Sequence, residues 1–393
     1  MPQGAEATTQ AVRRNAWGIP VVYSVAVLAR SAVIVVIPIL AYEEFGNASM
    51  VSALYLVASL FGLAVSLSFP LLLQSFGTWR LMLCASILGC GAAAALAVGG
   101  IGPLALGLAL HMLMVQLFEA AINIYAMNSI ARRDLTRFEP RRIMLAGLSY
   151  FVGPVLGAFL LEFGPRWSPF LLSAFCALLV PLLMRTLTTA VTQAVPPSAA
   201  KTSGFAFRQF LRQPRLRLAW SLAIGRAGWW QMFFVYTPIF AATVGISAAQ
   251  AGTVTGMASA VLLFAPLWGV VLRALGMRRF LLLAYLGCGI ATSVAGIVAG
   301  WSFGWTIVAL IVAAIAISGV DSAGNAPFMR AVKPRERMRM VPVYNTYREL
   351  SQILPTGVYT LLLMVFQVGI VFAATGIALT ILSLFCLKLP RRA

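Results

Sequence analysis

The sequence predicts an all-α polytopic membrane protein whose twelve transmembrane helices form two pseudo-symmetric six-helix bundles. Three observations predict this fold class. The composition is too apolar for a soluble domain, long apolar segments follow one another with short polar breaks, and the second half of the chain repeats features of the first.

The composition and the segment lengths set the class. Hydrophobic residues make up 61% of the 393 positions and charged residues only 10%, against roughly 45–50% and about 25% in soluble domains. Each apolar segment is long enough to cross the hydrocarbon layer as a helix, which satisfies its own backbone hydrogen bonds there. The predicted spans are 17–42, 48–73, 80–100, 103–131, 142–163, 168–186, 217–243, 248–272, 279–300, 303–329, 340–364 and 367–388.

The basic residues predict the orientation. The net charge is +19, and the basic residues concentrate on the connections at one side of the predicted membrane. The other side offers Glu43, Glu44, Glu162 and a single arginine, Arg166. Because loops rich in Lys and Arg stay in the cytoplasm, we expect both termini there, in a bacterial inner membrane. The charge is thus a topology signal: it indicates a chain in a lipid bilayer and does not indicate a nucleic-acid partner. We also expect a monomer with a small-molecule substrate.

An internal repeat divides the chain. The tetrapeptide LGCG occurs at 88–91 and again at 286–289, an offset of 198 residues. Further matches at nearly this offset are Pro38 with Pro238, Gly46 with Gly245, Gly77 with Gly276, Arg80 with Arg279 and Asn128 with Asn325. Transporters built from such repeats hold the substrate near the membrane midplane between the copies. We predict an N-terminal bundle at 1–186, a cytoplasmic linker at 187–216 that ends in an amphipathic segment, and a C-terminal bundle at 217–393.

A loop motif between the second and third spans of each half resembles that of the major facilitator superfamily. The second half reads GVVLRALGMRR and matches the motif at Gly269, Gly276, Arg278 and Arg279, with Arg273 in place of the superfamily's aspartate. The first half reads PLLLQSFGTWR and matches at Gly77 and Arg80.

The fifth span adds a second resemblance. Its segment GLSYFVGPVLGA, with Gly153, Pro154 and Gly157, is similar to the glycine-proline motif of proton-driven exporters in the same superfamily. The resemblance implies two six-helix bundles around a central cavity lined by spans 1, 4, 7 and 10, with alternating access to that cavity.

Four charged residues fall on those cavity spans: Arg30, Glu119, Arg226 and Asp321. A charge within hydrocarbon costs about 3 kcal/mol or more unless it is paired or hydrated. The two arginines would form a fork for a carboxylate or phosphate of the substrate. The alternative is that each arginine pairs with Glu119 or Asp321 and only holds helices together.

Three titratable groups are candidates for proton coupling. Glu119 and Asp321 are carboxyl groups that burial and a nearby arginine shift in opposite directions, so each can bind a proton in one conformation and lose it in another. His111, the only histidine, is a candidate relay. The alternatives are a permanent ion pair for each acid and a simple hydrogen bond for the histidine.

Two further groups are candidates for substrate contact. Span 11 carries the polar residues Tyr344, Asn345, Arg348 and Gln352, which would be unsatisfied against lipid. Span 7 carries Trp229 and Trp230 near Arg226, where aromatic walls suit an organic substrate. An interfacial or packing role explains the two tryptophans equally well.

These residues predict a secondary active transporter for a small organic solute, with an anionic solute and proton coupling favoured. The alternatives are a broad-specificity drug or metabolite efflux pump and, in another class, a non-transporting membrane scaffold or partner subunit. The sequence has no G-x-x-x-x-G-K-[ST] motif, and its five cysteines all lie in apolar spans without a CxxC pair. We therefore expect no enzyme, cofactor or metal.

Overall fold

The computed structural model describes residues 2–130, 135–188, 204–333 and 336–389, and these ranges are helical without a strand. The α-helices are α1 Pro2–Ser31, α2 Val36–Phe45, α3 Ala48–Val98, α4 Ile101–Ser129, α5 Leu135–Phe163, α6 Ser168–Leu187, α7 Gly204–Leu211, α8 Pro214–Thr243, α9 Ala248–Ala260, α10 Ala265–Leu275, α11 Met277–Val298, α12 Phe303–Ala323, α13 Ala326–Ala331, α14 Arg337–Asn345, α15 Tyr347–Leu362 and α16 Gly369–Phe385. Short 3₁₀ helices occupy Val261–Phe264 and Cys386–Lys388. Residues 189–203 of the predicted linker lie outside the described residues.

Helices cover each of the twelve predicted spans. Within the described ranges, nine helical segments are long and apolar enough to cross a membrane, and a tenth is the pair Ala248–Phe264 and Leu267–Leu275, bent by 57°. The other two predicted spans, 217–243 and 340–364, coincide with α8, which carries Arg226, and with α14 and α15, which are each too short to cross a membrane alone, at 9 and 16 residues. The predicted fold class, an all-α polytopic membrane protein, is confirmed.

Besides the bent eighth span, three predicted spans are interrupted rather than continuous. In span 1, α1 ends at Ser31 and α2 begins at Val36. The turn between them is buried, with Ala32, Val33 and Val35 at 0% exposure, as expected because a break at membrane depth is tolerated only inside protein or along a cavity. Span 10 breaks at Gly324, whose φ is 53°, and span 11 breaks between α14 and α15.

The repeat is visible in the backbone. Gly77 has φ 71° and ψ 163°, and its counterpart Gly276 has φ 73° and ψ 153°. Gly46 and Gly245 have φ of 62° and 73°. Residues other than glycine rarely adopt a positive φ, so each pair of glycines marks the same backbone turn in the two halves. The matching conformations support the sequence repeat.

Contacts group the chain into two compact units. The first contains Met1–Phe45, Leu60–Pro197 and Ile246–Ala260, and the second contains Gly46–Ser59, Ser198–Gly245 and Val261–Ala393. Each unit therefore includes one helical segment from the other half of the sequence. The bundle boundaries at 1–186 and 217–393 remain a prediction.

The first unit packs α5 against α9 through small residues. A Cβ on Gly252 would meet the Ala158 side chain and the Pro154 carbonyl, and one on Gly256 would meet Phe151. Such close approach of two helices is typical of membrane proteins. The carboxylate of Glu162 accepts a hydrogen bond from the backbone N–H of Ala249 (2.7 Å), which caps the start of α9.

The second unit packs the start of α3 against α8 and α15 through hydroxyl groups. Ser52 Oγ and the Tyr236 hydroxyl share a hydrogen bond of 2.5 Å, and Thr360 Oγ1 donates to Ser52 Oγ (2.9 Å). Ser49 Oγ donates to the backbone carbonyl of Thr360 (3.0 Å). Because these groups are buried, the hydrogen bonds offset the cost of removing them from water.

The predicted amphipathic end of the linker forms α7, in which Phe210 is covered by protein while Phe207 is 40% exposed. Phe210 is fully buried and lies edge-on to Trp220, with the ring centroids 6.2 Å apart. The Glu336 carboxylate accepts hydrogen bonds from Gln209 Nε2 (3.5 Å) and Gln213 Nε2 (3.1 Å). The helix is therefore docked on the second unit.

Candidate functional site

The second unit contains a cluster of an acid, an arginine and a tryptophan. Arg226 Nε lies 3.4 Å from Asp321 Oδ1, and Trp230 Nε1 donates a hydrogen bond to Asp321 Oδ2 (2.7 Å). Each carboxylate oxygen thus faces a donor. The two charged side chains are 12% and 26% exposed, with the acid the more accessible.

Helix geometry brings these groups together. Arg226 and Trp230 are four residues apart on α8, so they project from the same face. Asp321 lies two residues before the end of α12, next to the break at Gly324. The ion pair therefore joins an intact helix to a helix terminus.

Aromatic rings flank the arginine. The guanidinium carbon of Arg226 lies 5.9 Å from the centroid of the Tyr347 ring, within the range of a cation–π interaction. The Tyr344 hydroxyl donates to Asn325 Oδ1 (3.2 Å), and its ring stacks on Phe328 with the centroids 4.0 Å apart. Asn325 follows the Gly324 break, so these contacts hold α14 against the interrupted part of span 10.

A small crevice opens beside this cluster. Arg226 and Tyr344 line it together with Tyr285, Gly324 and Pro327. Its volume corresponds to about one water molecule. The crevice beside Arg226 therefore has room for a water molecule but not for an organic solute.

The remaining span 11 candidates lie around Tyr347. Arg348 is exposed, and its Nε lies 3.5 Å from the Tyr347 hydroxyl, at the limit of a hydrogen bond. Asn345 is exposed and Gln352 is half-buried. The structure thus links Arg348 to Arg226 through Tyr347, which the sequence did not single out; its ring lies 5.2 Å from that of Tyr344 across the break between α14 and α15.

The two neighbouring tryptophans have different surroundings. Trp229 is fully buried, donates to Thr292 Oγ1 (2.9 Å) and stacks on Phe233. Trp230 bonds the acid and stacks on Phe234, with the centroids 5.5 Å apart. The structure places Trp229 in the packing of α8 on α11 and Trp230 beside the charge.

The first unit contains a different arrangement around Arg30. This arginine is the penultimate residue of α1, directly before the buried turn. The buried imidazole of His111 lies close enough to interact electrostatically with it. Glu119 is half-buried on α4 and, like Arg30, has polar or charged neighbours. One turn further on, Asn123 Oδ1 accepts a hydrogen bond from Arg142 (2.5 Å).

Comparison with known proteins decides the family. The sequence profile of the Major Facilitator Superfamily matches residues 21–356. The chain belongs to the major facilitator superfamily. In sequence, none of the curated proteins matches it significantly.

Solved structures of the superfamily share the fold. A crystal structure of a mutant peptide transporter, POT, superposes with a TM-score of 0.73 at 13% identity and covers 97% of both chains. A D-xylose–proton symporter gives 0.72 at 14% identity, over 95% of this chain and 97% of the other. A bacterial homologue of ferroportin in an inward-facing state gives 0.69 at 14% identity, over 94% and 98%. At these identities the likeness shows the fold alone.

The loop-motif residues of this superfamily member lie at helix ends. Gly276 precedes α11 directly, Arg278 is half-buried, and Arg279 is exposed. In the first half, Arg80 is exposed three residues after the Gly77 kink. The Arg273 guanidinium lies over Gly269, where a Cβ would be 3.7 Å away.

The glycine-proline motif in α5 packs directly against the turn of span 1. A Cβ on Gly153 would collide with the side chain of Ser31, and one on Gly157 would collide with the carbonyl of Ala32. Pro154 lies on a different face, where its carbonyl approaches Gly252 of α9. The two glycines therefore let α5 approach the backbone directly after Arg30.

Proposed function

We propose that this protein is a proton-coupled secondary active transporter that moves a small organic anion by alternating access. The observation that carries the proposal is the Arg226–Asp321–Trp230 cluster. Ionised groups on membrane helices are costly and mark substrate or proton pathways. The setting is a bacterial inner membrane with both termini in the cytoplasm.

Arg226 is the proposed anchor for the anionic group of the solute. A guanidinium offers a planar fork of donors that matches a carboxylate or phosphate. Its pairing with Asp321 uses Nε at 3.4 Å, which is longer than a close charge-assisted hydrogen bond of about 2.8 Å. A solute anion competes with Asp321 for the same guanidinium.

Asp321 is the proposed proton carrier of the second unit. When a solute takes Arg226, the carboxylate loses the charge that stabilises its ionised form and gains a proton. Its 26% exposure gives protons access. Trp230 keeps the carboxylate in place during the exchange, because its N–H bond to Oδ2 does not depend on the arginine.

The first unit supplies a second cation and a second acid. Arg30, which is within electrostatic range of His111, is a further proposed anion contact, and Glu119 is a further proposed proton acceptor. Two structural neighbours support anion binding and proton coupling as functions of this fold. A peptide transporter was crystallised in complex with sulfate, and another neighbour is a D-xylose–proton symporter.

Efflux of an apolar drug or metabolite is the second candidate function. The stacking of Trp230 on Phe234 favours it, because two rings give an apolar wall beside the charge. Substituting the arginines separates the two functions. An anion carrier loses its substrate with Arg226→Gln, whereas a carrier of neutral or cationic drugs keeps it.

Transport in proteoliposomes tests the proposal. A thermal-shift panel of small carboxylates, phosphate esters and the cation ethidium first identifies a ligand, and its uptake is then measured under an imposed pH gradient. Ion-pair variants Arg226→Gln and Asp321→Asn are compared with Arg166→Gln, which removes an exposed ion pair to Glu44 (2.9 Å). No flux of any panel member, with or without a gradient, would instead support a scaffold.

Counterflow separates binding from coupling. Glu119→Gln and Asp321→Asn are each expected to abolish accumulation driven by the pH gradient. If the substituted acid serves only in coupling, its variant still exchanges labelled for unlabelled solute, because exchange needs no net proton movement. Unchanged accumulation in a variant removes that acid from the proposed mechanism.

A further inference from the structure

Two consecutive arginines at the start of the fifth span lie over aromatic rings of α1. The guanidinium carbon of Arg141 is 4.4 Å from the centroid of the Trp17 ring, and that of Arg142 is 4.9 Å from the Tyr23 ring. Stacking of this kind occupies the flat face of a guanidinium and leaves its N–H edge available to acceptors.

The N–H edges of the two guanidiniums differ in their hydrogen bonding. Arg142 donates its edge to Asn123 Oδ1 inside the first unit. Among the residues that the structure describes, the Arg141 guanidinium has neither a hydrogen-bond acceptor nor a carboxylate partner. Trp17 beneath it is 51% exposed. Arg141 and Trp17 therefore form an outward-facing pair whose N–H donors meet no acceptor among the described side chains.

The pair lies at the edge of the apolar layer. Arg141 is the first residue of the apolar segment Arg141–Phe163, and Trp17 is the third residue of Asn15–Phe45. Tryptophan at this depth is typical of the headgroup region. The neighbouring sequence RRDLTRFEPRR, 132–142, has five arginines and two acids, so this end attracts anions.

The helices under the pair are fixed in register. Ser24 and Ser149 share a hydrogen bond of 2.8 Å, and Ser31 Oγ donates to the Ser149 carbonyl (2.8 Å). Gly153 and Gly157 then seat the next turn of span 1. The Arg141–Trp17 pair is thus held on two helices that are joined along their length.

We propose that Arg141 and Trp17 form a binding site for the phosphate of an anionic phospholipid on the surface of the first unit. The guanidinium edge donates hydrogen bonds to two phosphate oxygens, and the indole lies along the glycerol and upper acyl region. Position at the membrane edge commits the site to a lipid rather than to a soluble phosphate.

Native mass spectrometry of the purified full chain tests the site with phosphatidylglycerol and phosphatidylcholine as probes. We expect a preference for phosphatidylglycerol that falls about fivefold with Arg141→Gln, which is the scale expected for one basic residue at an anionic surface. Arg141→Lys keeps the charge but loses the planar stack, so its preference for phosphatidylglycerol should lie between those of the wild type and Arg141→Gln.

A matched control is Arg185→Gln, which removes an exposed arginine at the end of α6. Equal losses for Arg141→Gln and Arg185→Gln would overturn the site, because they would show an effect of overall charge alone. Displacement of the lipid by millimolar glycerol phosphate would overturn the lipid assignment and indicate a soluble ligand. If Arg141→Gln fails to fold, Trp17→Leu provides the same comparison.

Discussion

The two units carry the same helical scaffold but different charge chemistry. In the second unit, Asp321 accepts contacts from Arg226 and Trp230. The position 198 residues earlier, the offset of the LGCG repeat, is Asn123, whose amide oxygen accepts from Arg142. One copy therefore carries a carboxyl group where the other carries an amide. The backbone turns at Gly46 and Gly245 and at Gly77 and Gly276 match between the copies, while these polar side chains differ.

The largest expected effect comes from breaking the ion pair of the second unit. Arg226→Gln should reduce uptake by about 100-fold, because it leaves a carboxylate in the membrane without its cation and removes the anion anchor. Uptake and thermal melting check this. The double variant Arg226→Gln/Asp321→Asn should melt higher than Arg226→Gln alone, and a lower melting temperature would contradict the pairing.

The next effect separates the two tryptophans. Trp230→Phe should reduce uptake by about tenfold, the scale of one hydrogen bond to a charged group. Trp229→Phe loses a neutral bond to Thr292 and should cost about 1 kcal/mol of stability while transport per folded molecule persists. Urea or thermal unfolding and uptake are measured on both variants. The reverse pattern would show that Trp229 faces the solute.

A third comparison concerns the helix breaks beside the two clusters. Gly157→Ala forces a methyl group against the Ala32 carbonyl, and we expect about 1–3 kcal/mol of destabilisation from overpacking. Gly324→Ala places a side chain at φ 53°, at about 1 kcal/mol for the left-handed backbone. Melting temperatures rank the two, and a milder Gly157→Ala would show that the first break moves freely.

The smallest effect is expected from a substitution that makes the two units more alike. Asn123→Asp gives the first unit an acid opposite Arg142, and we expect a stability change within about 1 kcal/mol because Arg142 already bonds this position. Transport should stay within about threefold, which is under 1 kcal/mol. A tenfold loss would mean that the neutral amide is required for the cycle.

Much of the fold and the short set of membrane charges could be predicted because both depend on local signals. Apolar length and loop charge are readable along the chain. The partner of each charge was left open, since an arginine can face a solute or an acid at the same span position. The structure pairs Arg226 with Asp321 and places Arg30 within electrostatic range of His111, while their roles in transport remain predictions.

Other features depend on neighbours that the sequence does not identify. Trp229 and Trp230 are equivalent in sequence, and only the position of Thr292 and Asp321 distinguishes them. Tyr285 of α11 lines the crevice at Arg226, yet it lies in an ordinary apolar span. The grouping of 46–59 with the second unit also required the structure, because its hydroxyl partners lie about 180 to 310 residues away.

The composition of the first unit has a consequence for biosynthesis. Its α9 segment, Ile246–Ala260, leaves the ribosome long after α5, so Glu162 and the Pro154–Ala158 surface wait for their partner during membrane insertion. A nascent chain arrested before residue 246 therefore exposes that surface to the translocon or to chaperones. Two separately expressed halves would each lack one helical segment of a unit, so neither would reach its native form until the other is made.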